Sequence, residues 1–314
     1  MKKIKLKISN ETSLLKSVVL GRPSIGNIPL LCETYDATSF ESVLNNNYPK
    51  ESDVRKEMDS FEDILNKYGV KVYKPSCLRN CNQIFARDIA FVINEFIINP
   101  NIISNRLLEK VAYKYIYQQI PFEKIYNLPP NAFIEGGDVI LYNDIIFVGV
   151  YNKKDFDFIK TARTNMRGYN FLKELFPNKQ FIPLGLKKDD KNSLNGALHL
   201  DCAFMPIANN KAIVCKDAFL NKKNYYSIVE VFGEDNIFKI SKEEQAQLNS
   251  NVLSLSPSVV VSEKRFNRLN NHLENEWGLK VEKVAYSEVA KMGGLFRCST
   301  IPLEREENNE SAKL

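Results

Sequence analysis

Few side chains in this chain of 314 residues are suited to covalent chemistry: six cysteines and two histidines. His199 stands in His199-Leu200-Asp201, and Cys298 closes the run Gly293-Gly294-Leu295-Phe296-Arg297-Cys298. Carboxylates hold comparable places at Asp88 in Phe85-Ala86-Arg87-Asp88 and at both ends of Glu135-Gly136-Gly137-Asp138. All of these lie in or beside apolar, strand-like runs, where an ionisable group is costly unless paired, hydrogen-bonded or facing a polar cavity. Together, one thiol, one imidazole and several carboxylates make a set suited to covalent attack on a cationic carbon. Singly, each has a plainer reading: an ion pair of Asp88 with Arg87, a glycine turn, a satisfied core histidine, a small buried thiol.

The remaining cysteines (32, 77, 81, 202 and 215) show no disulfide-scaffold rhythm, so free thiols are expected. Cys77-x-x-x-Cys81 has no second cysteine pair or histidine cluster to complete four ligands, so neither a metal nor a cofactor is expected. Forty-three basic residues against 38 acidic ones leave a surplus of +5, spread along the chain and too thin to argue for nucleic acid. No apolar stretch approaches the roughly 18 residues that span a bilayer. Nor does an apolar segment follow the basic opening Met1–Lys7, so a cytoplasmic protein without a membrane partner is expected.

With 44% hydrophobic and 26% charged residues, the chain has the composition of a packed globular body. Its elements repeat. Val54, Met58, Phe61, Ile64 and Leu65 fall on one helical face, Gly69 supplies the stop, and Val70-Lys71-Val72-Tyr73 reads as a strand. Similar helix–glycine–strand patterns end at Gly233 and Gly278, and less regular helices are expected near Asn105–Ile116 and Asn165–Phe176. Paired strand-like runs at Ile84–Ile98, Phe133–Val150, Leu198–Val214 and Val252–Val261 contain turn signals such as Asn94-Glu95, Asn143-Asp144 and Asn209-Asn210. About five hairpin-helix-strand modules fit this length, and modules packed around an axis would form a ring with strand ends converging at its centre. An open α/β sheet is the alternative. One domain is expected over residues 1–305, followed by a polar tail at 306–314.

On five ordered motifs the sequence resembles the guanidino-group-modifying superfamily of arginine deiminases, dimethylarginine dimethylaminohydrolases and glycine-type amidinotransferases. They are Ala86-Arg87-Asp88, Glu135-Gly136-Gly137-Asp138, Arg163-Thr164-Asn165-x-x-Gly168, His199-Leu200-Asp201 and Gly293-Gly294-x-x-x-Cys298, within residues 80–305. The resemblance implies an α/β fold, a five-bladed α/β propeller (pentein), and a small guanidino substrate. It gives Cys298 as nucleophile, His199 as proton carrier, Asp88 and Asp201 as the grip on the guanidinium, and Glu135 or Asp138 as the partner of His199.

Arg163 is the candidate for a substrate carboxylate and Arg297 a weaker one, each against the reading of a surface or capping arginine. Gly293 departs from arginine deiminases, which place a carboxylate-binding arginine there. The run 151–162 is read either as a lid or as a solvated insertion. Two activities follow, a hydrolase acting on arginine or a methylated derivative and an amidinotransferase passing the group to an acceptor amine. A non-catalytic ring-shaped binding protein is the third reading, and a homo-oligomer is left open.

Overall fold

The structure, a computed structural model, describes residues 3–306; of the expected tail only Glu306 falls within it. Five three-stranded sheets carry the fold. In chain order the strands are β1 (Leu14–Leu20), β2 (Lys71–Tyr73), β3 (Phe91–Ile93), β4 (Phe96–Asn99), β5 (Ile125–Asn127), β6 (Val139–Tyr142), β7 (Ile145–Val150) and β8 (Gln180–Gly185). They continue with β9 (Phe204–Ile207), β10 (Lys211–Val214), β11 (Ile237–Lys239), β12 (Leu253–Ser256), β13 (Val259–Glu263), β14 (Lys280–Val284) and β15 (Thr300–Glu306). Four sheets repeat one pattern, an antiparallel hairpin whose second strand pairs in parallel with a third, reached through helical turns. The fifth has the same pattern with its hairpin split: β15 lies antiparallel to β1, and β1 pairs in parallel with β2. The last strand thus closes the five-bladed α/β propeller onto the first.

Local sequence accounts for the modules. The helix Glu51–Lys67 buries Val54, Met58, Phe61 and Leu65, opens on Glu51 and Asp53 and ends on Lys67, in accord with its dipole. Gly69, at φ +67°, ends it and turns the chain into β2. Asn94, Asn143 and Asn210 take the left-handed backbone conformation at the hairpin tips, which asparagine tolerates better than most residues. Asn165 caps the helix Met166–Leu175 by accepting the Gly168 N–H at 2.9 Å. The expected helix near Asn105–Ile116 differs: Ser104–Tyr113 is a 3₁₀ helix, followed by one short α-turn, Lys114–Tyr117. Residues i and i+3 eclipse in that geometry, which sets Arg106 directly beside Glu109.

Two apolar clusters fill the interior. One contains Phe61, Tyr286 and Phe296, with ring centroids of Tyr286 and Phe296 4.4 Å apart and those of Phe61 and Phe296 5.0 Å apart. Phe296 lies two residues before Cys298, so this packing fixes the segment that carries the thiol. Truncating such a ring costs roughly 3–5 kcal/mol. His272, half-buried, packs against Phe238 and Trp277 with ring centroids 4.6 and 4.7 Å away. No helix among the described residues is long and apolar enough to cross a membrane.

Candidate active site

Each module delivers one polar residue to the centre, one to three positions ahead of its leading strand: Asp88 before β3, Asp138 before β6, Asp201 before β9, Asn251 before β12 and Cys298 before β15. Three of these leads are 3₁₀ turns (Ala86–Asp88, Gly136–Asp138 and Leu200–Cys202), and the middle turn touches the other two. Backbone bonds join the neighbours. The Arg87 N–H donates to the Cys298 carbonyl at 3.0 Å, and the Leu200 N–H donates to Asp138 Oδ1 at 2.9 Å.

His199 is wholly enclosed, with Nε2 2.9 Å from Glu135 Oε2 and Nδ1 3.6 Å from Asp88 Oδ1. Of the two expected partners, Glu135 therefore meets the imidazole, while Asp138 secures the backbone just after it. Burial opposes charge on His199, but the Asp88 carboxylate and the Glu135 hydrogen bond prevail and raise its pKa to about 9. Glu135, against the same burial, is held down at about 2 by Arg163 and then by His199. Gly137 makes this approach feasible, since a Cβ there would lie 2.6 Å from the ring of His199.

The Cys298 thiol lies 3.7 Å from Asp201 Oδ2 and receives an N–H bond from Asn251 Nδ2 at 3.1 Å. Asn251 also accepts the N–H groups of Leu295 and Cys298 through its Oδ1, bracing the nucleophile's loop. Contact with the Cys202 thiol, burial and the Asp201 charge push the Cys298 thiol well above its ordinary range. An anion at this sulfur therefore needs a compensating positive charge.

Behind each acid stands an arginine. Asp88 is paired through Oδ2 with Arg106, which also forms two bonds of 2.7 Å to Glu109. Asp201 Oδ2 accepts from Arg297 at 2.8 Å, and Arg297 reaches Glu11 at 2.8 Å. Two buried Asp–Arg–Glu chains thus flank the centre. Asp88 keeps Oδ1 without a hydrogen-bond partner, whereas both Asp201 oxygens are engaged, Oδ2 by Arg297 and Oδ1 by the Cys202 thiol at 3.6 Å.

Arg163 and Arg297 lie elsewhere than a carboxylate-binding role requires. Arg163, at 2% exposure, donates to Glu135 Oε2 at 2.8 Å, the Tyr35 carbonyl at 2.7 Å and the Lys160 carbonyl at 2.5 Å. Arg297, at 1%, donates to Asp201, Glu11 and the Val139 carbonyl. Both are internal ties, because burial leaves a guanidinium no low-cost alternative to protein acceptors. The run 151–162 is exposed over much of its length, while Lys160 at its end donates to the carbonyls of Cys32 and Thr34 and so joins it to the segment over the site.

Several buried polar atoms have no hydrogen-bond partner: Asp88 Oδ1, Glu135 Oε1, Asp138 Oδ2 and His199 Nδ1. Buried carboxylate oxygens without a partner call for a donor. Asp88, Glu135 and His199 also place potential metal-ligating atoms within 4.8 Å of one another. The raised pKa of His199 favours its charged form, in which both ring nitrogens are donors.

A closed five-module α/β ring that gathers a thiol, an imidazole of raised pKa and buried carboxylates fits the guanidino-group-modifying class of enzymes. The sequence model of the eukaryotic N,N-dimethylarginine dimethylhydrolases matches residues 33–305, and the chain belongs to that family. The uncharacterised protein YkgA of Bacillus subtilis is 30% identical over 235 residues, covering 72% of this chain and 71% of YkgA. Arginine deiminase of Streptococcus pneumoniae is 28% identical over 253 residues, covering 72% of this chain but only 61% of the deiminase. The solved structure of SxtG, an amidinotransferase of saxitoxin biosynthesis from Microseira wollei, superposes with a TM-score of 0.75 at 19% identity, covering 96% and 98% of the two chains.

Sequence reasoning missed Asn251, Arg106, Glu109 and Glu11. Asn251 had a signal, since it occupies the same place ahead of its strand as the acids of the other modules. The buried backing residues had none, for they meet their partners only through folding.

Proposed function

We propose that the protein is a hydrolase acting on the guanidino group of arginine or a methylated derivative, through a covalent amidino-thioether on Cys298. The observation that carries this reading is the pair of carboxylates at His199, Asp88 and Glu135, each with one oxygen lacking a partner, together with the buried Cys298 thiol 3.7 Å from Asp201. A guanidinium delocalises its charge over three nitrogens and presents N–H donors in one plane, so single oxygens from several carboxylates can hold it. Its charge offsets that of a Cys298 thiolate, and the substrate thereby helps to ionise its own nucleophile. The thiolate forms a bond to the guanidinium carbon, His199 gives its proton to the departing nitrogen, and the C–N bond breaks. Neutral His199 then takes a proton from water as that water attacks the carbon. Cleavage of the C–S bond releases a ureido product and regenerates the thiolate.

Cys298 is 2% exposed and His199 is fully buried, so substrate and second nucleophile reach them only when the site opens. Incubation with arginine, methylated arginines and acceptor amines, with mass spectrometry of products and of acid-quenched protein, tests the reading. A ureido product and a mass gain on Cys298 are expected; amidino transfer to the amine would replace the hydrolase with a transferase.

A further inference from the structure

The segment ahead of β12 is held more tightly than a connection requires. Leu248 takes a left-handed backbone conformation, φ +68°, that a bulky side chain adopts only under constraint, and the Ser250 hydroxyl donates to the Asp201 carbonyl at 2.9 Å. Asn251, wholly buried, is thereby set against the turn that carries Cys298. Its amide has one orientation. Oδ1 takes the backbone N–H groups of Leu295 and Cys298, both at 3.2 Å, so the amide nitrogen faces Sγ at 3.1 Å.

Bracing that turn does not by itself call for asparagine. Asp88, Asp138 and Asp201 hold the corresponding places in three other modules, and an aspartate here would accept the same two N–H groups. It would also set a second carboxylate against the nucleophile. The β12 module departs from the acid where its side chain touches sulfur, and asparagine keeps the acceptor while turning a donor toward the thiol.

The charges around the sulfur make such a donor useful. Asp201 at 3.7 Å, Asp88 and the Cys202 thiol all oppose an anion there, and the Tyr286 phenol lies within electrostatic range. Arg87 favours the anion, but it also faces Glu11, Asp201 and the repelling Arg297. A hydrogen bond to a charged group is roughly twice as strong as one between neutral groups, so the amide bond strengthens as the thiol ionises.

We propose that Asn251 is a catalytic residue, whose N–H bond stabilises the Cys298 thiolate before attack and again as the C–S bond breaks. This rests on the covalent reading of Cys298 and adds the group that lowers the cost of its anion.

Alkylation of Cys298 by iodoacetamide, followed from neutral to alkaline pH by the mass of the peptide that carries it, reads the thiolate and needs no guanidine. Asn251→Ala should move the midpoint of that rate up by roughly one to two pH units, a ten- to hundredfold slower reaction at neutral pH, and kcat/KM on guanidines should fall with it. Loss of a brace alone would lower stability or the limiting rate and leave the midpoint in place. Asn251→Asp retains an acceptor for Leu295 and Cys298 but exchanges the donor for a negative oxygen, so its midpoint should rise further; it is also the variant to use should alanine fold poorly. Midpoints unchanged from wild type overturn the donor and leave Asn251 a brace. A raised midpoint in a protein from which no guanidine yields an adduct or product keeps the donor and overturns the substrate reading instead.

Discussion

Replacing Arg163 by methionine separates an internal tie from a substrate anchor. The Arg163–Glu135 pair spans 2.8 Å with side chains 0% and 1% exposed, so the variant leaves a buried carboxylate without its cation. Breaking such a pair costs about 3–5 kcal/mol, which for a chain of this size corresponds to a fall of roughly 5–8 °C in melting temperature. Glu135 has its pKa depressed from 4.5 to about 2, so its stabilising contribution is present above 4.5 and disappears as the pH falls through about 2. The gap between wild type and variant should therefore be widest near neutrality and narrow in acid. Urea unfolding across that range, without substrate, gives the stability, and steady-state kinetics gives the function. With Glu135 freed from Arg163, His199 loses its fixed partner, so kcat should fall. A variant within about 1 kcal/mol of wild type, with a raised KM confined to carboxylate-bearing substrates, would refute the tie and restore Arg163 as a substrate anchor.

Cys298→Ser should abolish turnover and the covalent adduct while keeping the fold, because Asn251 can donate to a hydroxyl as it does to the thiol; circular dichroism and intact mass check both. Gly137→Ala places a methyl 2.6 Å from the His199 ring, and kcat should drop roughly 100-fold or more as the imidazole is displaced from Glu135, at a stability cost of about 1–3 kcal/mol. Since the folded state raises His199 from 6.5 to about 9, its contribution to stability is complete below 6.5 and lost as the pH rises through about 9. The urea midpoint should decline over that interval, and a His199→Gln variant should lack that part of the decline.

Much of this fold was legible because its rules are local. Helical faces such as Val54–Leu65, the Gly69 stop and the asparagines at hairpin tips act within a few residues, and they recur often enough to count modules. Of the first module the helix and third strand were legible but the hairpin was not, because it joins β1 to β15, almost three hundred residues apart and with no turn between them. Ser104–Tyr113 escaped for another reason: its apolar periodicity is that of a helix, but it folds with the tighter 3₁₀ pitch, in which Arg106 and Glu109 stand side by side behind Asp88.

At the site the division is similar. By itself the sequence determined which groups sit where charge is costly, namely Asp88, Glu135, Asp138, His199, Asp201 and Cys298, because each interrupts an apolar run. It could not decide their partners. Whether Glu135 or Asp138 meets His199, whether Arg163 holds a ligand or a neighbour, and which arginine pairs with Asp201 all depend on contacts between residues tens to hundreds of positions apart. Hydrogen bonds and ion pairs act over a few ångströms, and only the closed ring brings those atoms within that range.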